Sequence, residues 1–354
     1  MAWFPVDPES VTAEWLSEVL NAEVRECRVE QICIGVGLLG RIYRAHLDGV
    51  DVPDSVVIKL PTLDPQARTD VCESLDFYRR EVRFYQEIGC ANPLPPARPY
   101  FAAFDESTQD FILVLEDLGR LRSVDQTVGC SQADAETVID AIAGHHAHWW
   151  ENPRLAELSW LKTYTEPPFP DVLATNFRAA WPLFLDRIGS GLPDSIREWG
   201  ERFPALVPWY VTQLCRPPHT FLHGDLRLDQ LFFATEDRHP PVTALDWQIS
   251  FLGRGAYDLA YFMSQSLDTE TRRACEQTLI ERYGERLAER GIAYPAKQLR
   301  RDYQLTTAWC LMYPVIGSGR KELDNDRQLR LLRTMLDGAV AAIEDNDALA
   351  LGPD

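Results

Sequence analysis

Residues His223–Phe233 read HGDLRLDQLFF, and residues Leu245–Gln248 read LDWQ. The first segment places Asp225 directly after a His-Gly pair and Gln230 five residues further on, and the second contains Asp246. Phosphoryl transfer from Mg-ATP needs such a set, because one carboxylate accepts the proton of the attacking hydroxyl while an amide oxygen and another carboxylate hold magnesium. A turn between strands without any chemistry is the alternative, because short motifs recur by chance.

Apolar residues surround both segments, and their composition predicts short strands. These strands are expected at Thr220–Leu222, Leu231–Phe233 and Val242–Leu245. A strand, a loop, a second short strand and a second loop would bring Asp225, Gln230 and Asp246 together.

Composition excludes several classes of function. The chain has 354 residues, of which 45% are apolar and 25% charged, and its formal net charge is −19. An acidic protein is a poor partner for nucleic acid or an anionic membrane, so we expect neither. No apolar run approaches the roughly 18 residues of a membrane span, and the N-terminus lacks a signal-peptide pattern. Because the eight cysteines are scattered singly, we expect reduced thiols in a cytoplasmic protein.

The order of the predicted elements indicates an α+β architecture with two lobes. Strands are expected at 29–34, 42–47, 55–60 and 111–115, with a turn at Asp48–Gly49 and a helix over 76–88. Beyond residue 118 the periodicity predicts helices at roughly 133–150, 170–190, 195–214, 270–290 and 300–345. We therefore expect a small β-rich lobe over 1–118 and a larger helical lobe over 119–354, joined near Glu116–Gly119.

The N-terminal lobe contains residues suited to binding a nucleotide. Gly35, Gly37 and Gly40 lie between two predicted strands, where glycines let backbone amides approach phosphate oxygens. A glycine-rich hairpin turn without a ligand is the alternative. Lys59 ends the apolar run Val56–Ile58 and needs a counter-charge, which a phosphate or Glu81 of the following helix would supply.

Seven pieces in one order give the chain a family resemblance. They are GVGLLGRIYR, VVIKLP, YRREVRFYQEI, FILVLEDLG, AIAGHHAHWW, HGDLRLDQLFF and LDWQISFLGRGAYDLAYF. Together they span residues 29 to about 264. The chain resembles the aminoglycoside phosphotransferase and choline kinase-like group and, within it, the branch similar to ecdysteroid kinases. This resemblance implies a bilobal protein kinase-like fold that uses ATP and Mg²⁺, and it says little about the acceptor.

The resemblance also implies a role for each matching residue. Asp225 would be the catalytic base, and Arg227 could stabilise the transferring phosphoryl group or form a structural pair with an acidic neighbour. Gln230 and Asp246 would bind magnesium. Lys59, held by Glu81, would contact the α- and β-phosphates, and the backbone of Leu115–Leu118, which includes Glu116, would bind adenine. Asp258 would brace the catalytic loop, and His223 would pack behind it.

One departure from the family concerns Gln230, where asparagine is usual. Glutamine offers the same amide oxygen on a longer arm, whereas magnesium demands near-ideal octahedral geometry. We expect activity with one metal weakened; loss of catalysis, in a nucleotide-binding pseudokinase that acts through a partner, is the alternative. A protein kinase is a third option, which HGD in place of HRD disfavours.

The acceptor is expected to be a small molecule with a hydroxyl group. The ecdysteroid kinase-like branch suggests a bulky, largely apolar alcohol, whereas the net charge and the antibiotic-kinase relatives suggest an aminoglycoside or another cation. Aromatic residues are frequent in the helical lobe, and no dense acidic run lies near the catalytic loop, so we favour the apolar alcohol. The aromatic residues are Trp149, Trp150, Trp160, Phe169, Trp181, Phe184, Trp309 and Tyr313.

Overall fold

A computed structural model of the chain describes residues 3–33, 39–65, 68–236, 239–319 and 326–353. The chain divides into two compact units. Unit 1 comprises Met1–Arg122, Ala234–His239 and Thr243–Ile249, and unit 2 comprises Ser123–Phe233, Pro240–Val242 and Ser250–Asp354. The lobe boundary expected between residues 118 and 119 stays a prediction.

Unit 1 is built on a five-stranded antiparallel sheet. Its strands are β1 (Glu23–Ile32), β2 (Gly40–Val50), β3 (Ser55–Pro61), β4 (Pro99–Asp105) and β5 (Asp110–Glu116), in the spatial order β1-β2-β3-β5-β4. Two helices, α1 (Ala13–Leu20) and α2 (Phe77–Glu87), belong to the same unit. The core of unit 1 contains Leu16, Val24, Ala45, Ile58 and Val114. Ile58 lies in β3 and Val114 in β5, so both strands contribute buried residues to this core.

The expected turn at Asp48–Gly49 is wrong. Both residues lie inside β2, where Asp48 pairs with Glu26 and Gly49 with Val24 of β1. The chain reverses after Val50, and the amide of Leu47 donates a hydrogen bond to the carbonyl of Asp54 at 2.9 Å. The long β1–β2 pairing therefore outweighs the local turn preference of Asp-Gly.

Unit 2 is mostly helical. Its helices are α3 (Gln132–Trp149), α4 (Phe169–Arg187), α5 (Asp194–Leu214), α6 (Ala256–Ser266), α7 (Thr269–Ala288), α8 (Ala296–Cys310), α9 (Met312–Ser318) and α10 (Asp326–Asp345). Among these, α3 packs on α7, α6 on α8, and α4 on α5 and α9. The single helix expected over 300–345 is in fact divided, with α8 ending at Cys310 and α9 at Ser318.

Short strands surround the motif residues. They are β6 (Arg122–Ser123), β7 (Thr220–Leu222), β8 (Leu231–Phe233), β9 (Val242–Ala244) and β10 (Phe251–Gly253). The strands expected before and after the HGDLRLDQ loop are confirmed as β7 and β8, and the one before LDWQ as β9. The α+β fold class is also confirmed, with an antiparallel sheet in the N-terminal region and a helical C-terminal part. Within the described ranges, no helix is long and apolar enough to cross a membrane.

Candidate active site

The backbone of the loop His223–Gln230 is held by a buried carboxylate. Asp258 of α6 accepts hydrogen bonds from the amides of His223 at 2.8 Å and Gly224 at 3.0 Å. Gly224 has φ of +85°, a conformation that favours glycine because a Cβ atom would be strained there. The His-Gly pair thus supplies two aligned amides and the reversal of direction that presents Asp225.

Asp258 is itself fixed by buried side chains. Its Oδ2 atom lies 3.1 Å from Nε2 of His146, whose Nδ1 atom lies 2.8 Å from the hydroxyl of Tyr283. His223, the first residue of the loop, is fully buried, and its Nδ1 atom accepts a hydrogen bond from the amide of Asp225 at 3.2 Å. The helix motif HHAHWW therefore contributes His146, which holds the carboxylate of Asp258 against the backbone of this loop.

Asp225 is almost fully buried, and each of its oxygens has a partner. Oδ1 accepts hydrogen bonds from the hydroxyl of Tyr261 at 2.6 Å and from Nε of Arg227 at 3.2 Å. Oδ2 accepts one from Nε2 of Gln230 at 3.3 Å. Arg227 also donates to Asp229 at 2.9 Å, so two carboxylates hold its guanidinium group. The structural pairing considered for Arg227 is thus present in unit 2.

Tyr261 was missed by the sequence analysis, although one signal could have found it. It follows Asp258 by three residues on α6, and residues three apart share a helix face. A helix that aims Asp258 at the loop backbone therefore aims Tyr261 at the same loop.

In unit 1, Lys59 is buried between two carboxylates. Its Nζ atom lies 2.7 Å from Oε2 and 3.0 Å from Oε1 of Glu81, and 2.9 Å from Oδ1 of Asp246. Lys59 comes from the buried strand β3, Glu81 from α2, and Asp246 from the loop after β9. Three segments far apart in the chain thus meet at one ammonium group, including the pair Lys59–Glu81 expected from the sequence.

The two carboxylates of this cluster repel one another across the lysine. Burial alone would lower the pKa of Lys59, but the charges of Asp246 and Glu81 outweigh burial and raise it above its ordinary range. Burial and the charge of Asp246 together raise the pKa of Glu81 to about 7 against the pull of Lys59. One lysine thus holds two carboxylates close together, and carboxylates are the groups whose charge a divalent cation neutralises.

The loop that presents Asp246 is anchored on α2. The Trp247 ring stacks on Phe84 with ring centroids 4.3 Å apart and an interplanar angle of 11°. Nε1 of Trp247 donates to the carbonyl of Ala244 at 3.0 Å, and the amide of Ala244 donates to the carbonyl of Pro95 at 2.9 Å. Asp246 has φ of +64°, which turns its carboxylate out of line with β9. Trp247 and Phe84 are therefore supporting residues that the motif alone did not indicate.

The glycine-rich segment is described only at its end. Gly35 and Gly37 lie outside the described residues, whereas Gly40 is the first residue of β2. A Cβ atom at Gly40 would lie 3.2 Å from the carbonyl oxygen of Leu60 and 3.3 Å from Cε of Lys59. Gly40 therefore allows close packing next to Lys59, and a phosphate-binding role for the three glycines stays a prediction.

The segment expected to bind adenine, Leu115–Leu118, begins at the end of β5. The amide of Glu116 donates to the carbonyl of Arg98 at 2.8 Å, and Leu118 is buried. Asp117 between them accepts hydrogen bonds from Nε of Arg44 at 2.6 Å and from the hydroxyl of Ser55 at 2.7 Å. Asp117, which was not singled out from the sequence, ties this segment to β2 and β3.

Each unit contains side chains of a chemical type that suits a magnesium nucleotide. In unit 1, Asp246 offers a carboxylate oxygen, which magnesium accepts as a ligand, and Lys59 offers a positive charge that suits phosphate oxygens. In unit 2, Gln230 offers an amide oxygen, which magnesium also accepts.

A second aspartate of unit 2 has the same types of partner as Asp225. Asp302 accepts hydrogen bonds from Nε of Arg254 at 2.8 Å, from the hydroxyl of Tyr294 at 2.6 Å and from Nε2 of Gln298 at 2.6 Å. In these four residues, the Asp302 cluster, Asp302, Arg254 and Tyr294 are buried and Gln298 is half-buried. All four lie outside the HGDLRLDQ loop. The cluster therefore offers a matched control for each variant of Asp225 or of its partners.

Solved small-molecule kinases share this fold. The Plasmodium vivax ethanolamine kinase is 12% identical with a TM-score of 0.57, over 92% of this chain and 85% of that chain. Choline kinase from Streptococcus pneumoniae is 13% identical with a TM-score of 0.53, over 92% and 96% of the two chains. The GDP complex of wild-type aminoglycoside 2'-phosphotransferase-IIIa is 13% identical with a TM-score of 0.54, over 96% and 99%.

At such identities these similarities establish the fold alone, and a search of curated proteins finds no match. A model of the ecdysteroid kinase-like family matches residues 37–292, well over half of the chain. The matched range includes Lys59, Glu81, Asp225 and Asp246. The chain belongs to the ecdysteroid kinase-like family.

Proposed function

We propose that this protein transfers the terminal phosphoryl group of Mg-ATP to a hydroxyl group of a small molecule. The observation that carries the proposal is the buried lysine of unit 1, whose ammonium group lies within 2.9 Å of carboxylates from α2 and from the loop after β9. A buried ion cluster adds little to stability, and buried groups with perturbed pKa values are common at functional sites. Family membership supports the same chemistry.

In this proposal Lys59 binds oxygens of the α- and β-phosphates, and Glu81 holds its ammonium group in place. Asp246 and Gln230 are the residues that would hold magnesium, which supplies positive charge to the phosphates. The backbone of Leu115–Leu118 would bind adenine. Gly35, Gly37 and Gly40 would place backbone amides against the phosphates.

Asp225 is the proposed base. It accepts the proton of the acceptor hydroxyl while the oxygen attacks the γ-phosphorus atom, the bond from that phosphorus to the β–γ bridging oxygen breaks, and ADP leaves. The products are ADP, a phosphate monoester and the proton held by Asp225. Because Asp225 and Asp229 already hold the guanidinium of Arg227, we assign Arg227 to orienting the loop in preference to direct contact with the phosphoryl group.

The proposed acceptor is a bulky, largely apolar alcohol, as the family description suggests. A polycation would need carboxylates near the loop to bind its positive charges. Asp229 of the loop already has basic partners, because it pairs with Arg227 at 2.9 Å and lies 3.5 Å from Arg327. This favours the apolar alcohol over a polycation. Aromatic residues give no such support. Trp149, Trp160, Phe169, Trp181, Phe184 and Trp309 are all buried in unit 2 and are accounted for as core.

A panel of acceptors tests the substrate class. Purified protein is incubated with Mg-ATP and a steroid or terpenoid alcohol, a choline-like amine or an aminoglycoside, and ADP and phosphorylated product are quantified. We expect turnover on members of the apolar alcohol group, with the Asp225→Asn variant as the blank. Fast turnover of an aminoglycoside with none on apolar alcohols would overturn the choice of acceptor and leave the phosphotransferase proposal standing.

Replacing Gln230 by asparagine tests its role at the metal. If the longer arm binds magnesium poorly, Gln230→Asn should lower the magnesium concentration needed for half-maximal turnover. The control is Gln298→Asn, since Gln298 also donates its amide to a buried aspartate. An unchanged or higher magnesium requirement in Gln230→Asn would show that glutamine is adapted to this site or does not bind the metal. Nucleotide binding without turnover in both wild type and Gln230→Asn would favour the pseudokinase.

We also propose a cytoplasmic location, because scattered single cysteines suit a reducing compartment.

A further inference from the structure

Two tyrosine side chains donate hydrogen bonds to the loop that contains Asp225. Tyr261 of α6 is fully buried and donates to Oδ1 of Asp225 at 2.6 Å. The hydroxyl of Tyr313 donates to the carbonyl of Gly224, the residue before Asp225, at 2.9 Å. The ring centroids of Tyr261 and Tyr313 are 4.3 Å apart, so the two rings also pack on each other.

The hydrogen bond of Tyr313 is the last in a chain of hydrogen bonds whose donors and acceptors can all be assigned. Nε1 of Trp309 donates to the hydroxyl of Tyr257 at 3.1 Å, and that hydroxyl is hydrogen-bonded to the hydroxyl of Tyr313. Tyr313 uses its proton for the carbonyl of Gly224, so Tyr257 must be the donor to Tyr313. The chain from Trp309 to Gly224 therefore has one donor and one acceptor at each step, and no hydroxyl is free to reorient without breaking it.

The contacts of Asp225 distinguish its two oxygens. Oδ1 takes the short bond from Tyr261 and a longer one from Arg227, whereas Oδ2 has the 3.3 Å contact with the amide of Gln230. A carboxylate oxygen has two lone pairs, and Oδ1 already accepts two hydrogen bonds. Oδ2 retains the capacity to accept the proton of an incoming hydroxyl.

We propose that Tyr261 is the positioning residue of the base: by holding Oδ1, it fixes the carboxylate of Asp225 so that Oδ2 receives the acceptor proton. This inference rests on the proposed function. The phenol does not touch the acceptor or the nucleotide in this scheme. Its effect is on the orientation of Asp225, and a misplacement of about 1 Å at a reacting group can cost on the order of 100-fold in rate.

The test compares Tyr261→Phe with Tyr294→Phe. Both variants remove one phenolic hydroxyl that donates to a buried aspartate at 2.6 Å in unit 2, so the loss of stability should be similar. The probe is turnover of Mg-ATP, with water or any active alcohol of the panel as acceptor. We expect kcat to fall about 10-fold to 100-fold in Tyr261→Phe, with KM for ATP unchanged, and to stay near wild type in Tyr294→Phe.

The separation of kcat from KM and from stability provides a readout that a merely structural tyrosine would not move. A tyrosine that only stabilises unit 2 would change the melting temperature and leave the kcat of the folded protein unaltered, whereas one that orients the base lowers kcat itself. Equal kcat values in the two variants, while Asp225→Asn is inactive, would overturn the inference and leave the proposed function intact. Full turnover in Asp225→Asn, or none in wild type, would overturn the proposed function and the inference with it.

Discussion

In the Asp225→Asn variant, turnover of Mg-ATP should fall by about 100-fold or more, while the affinity for Mg-ATP stays close to that of wild type. Asparagine preserves the shape of the side chain and can still accept a hydrogen bond from the hydroxyl of Tyr261. It cannot take up the proton of the substrate alcohol. Steady-state rates and nucleotide titration by calorimetry measure the two quantities separately.

Asp302→Asn is the matched control for this experiment. Asp302 also accepts hydrogen bonds from an arginine, a tyrosine and a glutamine, so the same substitution disturbs an equivalent set of contacts in unit 2. We expect Asp302→Asn to lower the melting temperature and to retain the wild-type rate per folded molecule. Comparable rates in Asp225→Asn and Asp302→Asn would remove Asp225 from the mechanism.

Lys59→Met should abolish tight binding of Mg-ATP, lower turnover by about 100-fold or more, and also destabilise unit 1. Methionine has a similar length and no charge, so the phosphates lose their cation while Glu81 and Asp246 lose their shared partner. Removing one partner of a buried ion pair costs roughly 3–5 kcal/mol, because the remaining charge is left uncompensated. Nucleotide titration and denaturant unfolding check the two effects.

The double variant Lys59→Met/Glu81→Gln separates binding from stability. Neutralising Glu81 removes the buried carboxylate whose pKa is already raised to about 7 in the native protein. Part of the lost free energy of unfolding should therefore return in the double variant, whereas nucleotide binding should not. Recovery of Mg-ATP binding would contradict the assignment of Lys59 to the phosphates.

Much of the candidate site could be predicted because its chemistry is concentrated in short segments. Asp225 and Gln230 lie in one loop, and Lys59 follows a buried strand that requires a counter-charge for the ammonium group. The helix pattern alone would leave Glu81 as a solvated carboxylate. Its pairing with Lys59 was expected only because the whole set of motifs occurs together, and the structure contains that pair. Asp246 was expected as a metal ligand, and its contact with Lys59 is visible only in the folded structure.

Other elements could not be predicted, for identifiable physical reasons. Helix α6 is buried at all eleven positions, so it lacks the alternation of polar and apolar faces that reveals a surface helix, and Tyr261 was missed with it. Strand β4 follows a proline-rich stretch, which masks its pattern. The aromatic residues of unit 2 show a further limit, because composition does not distinguish rings that fill a core from rings that line a pocket.

Transfer of the γ-phosphoryl group itself is the central claim, and an isotope label follows it directly. The protein is incubated with magnesium, ATP labelled with ¹⁸O on the γ-phosphoryl oxygens, and an alcohol acceptor, and the acceptor is then analysed by mass spectrometry. We predict that wild type forms a phosphate monoester that carries the label, in an amount equal to the ADP released. The Asp225→Asn variant should not form it. Bound nucleotide that stays intact as ATP, with no labelled product from any alcohol, amine or aminoglycoside, would contradict the account.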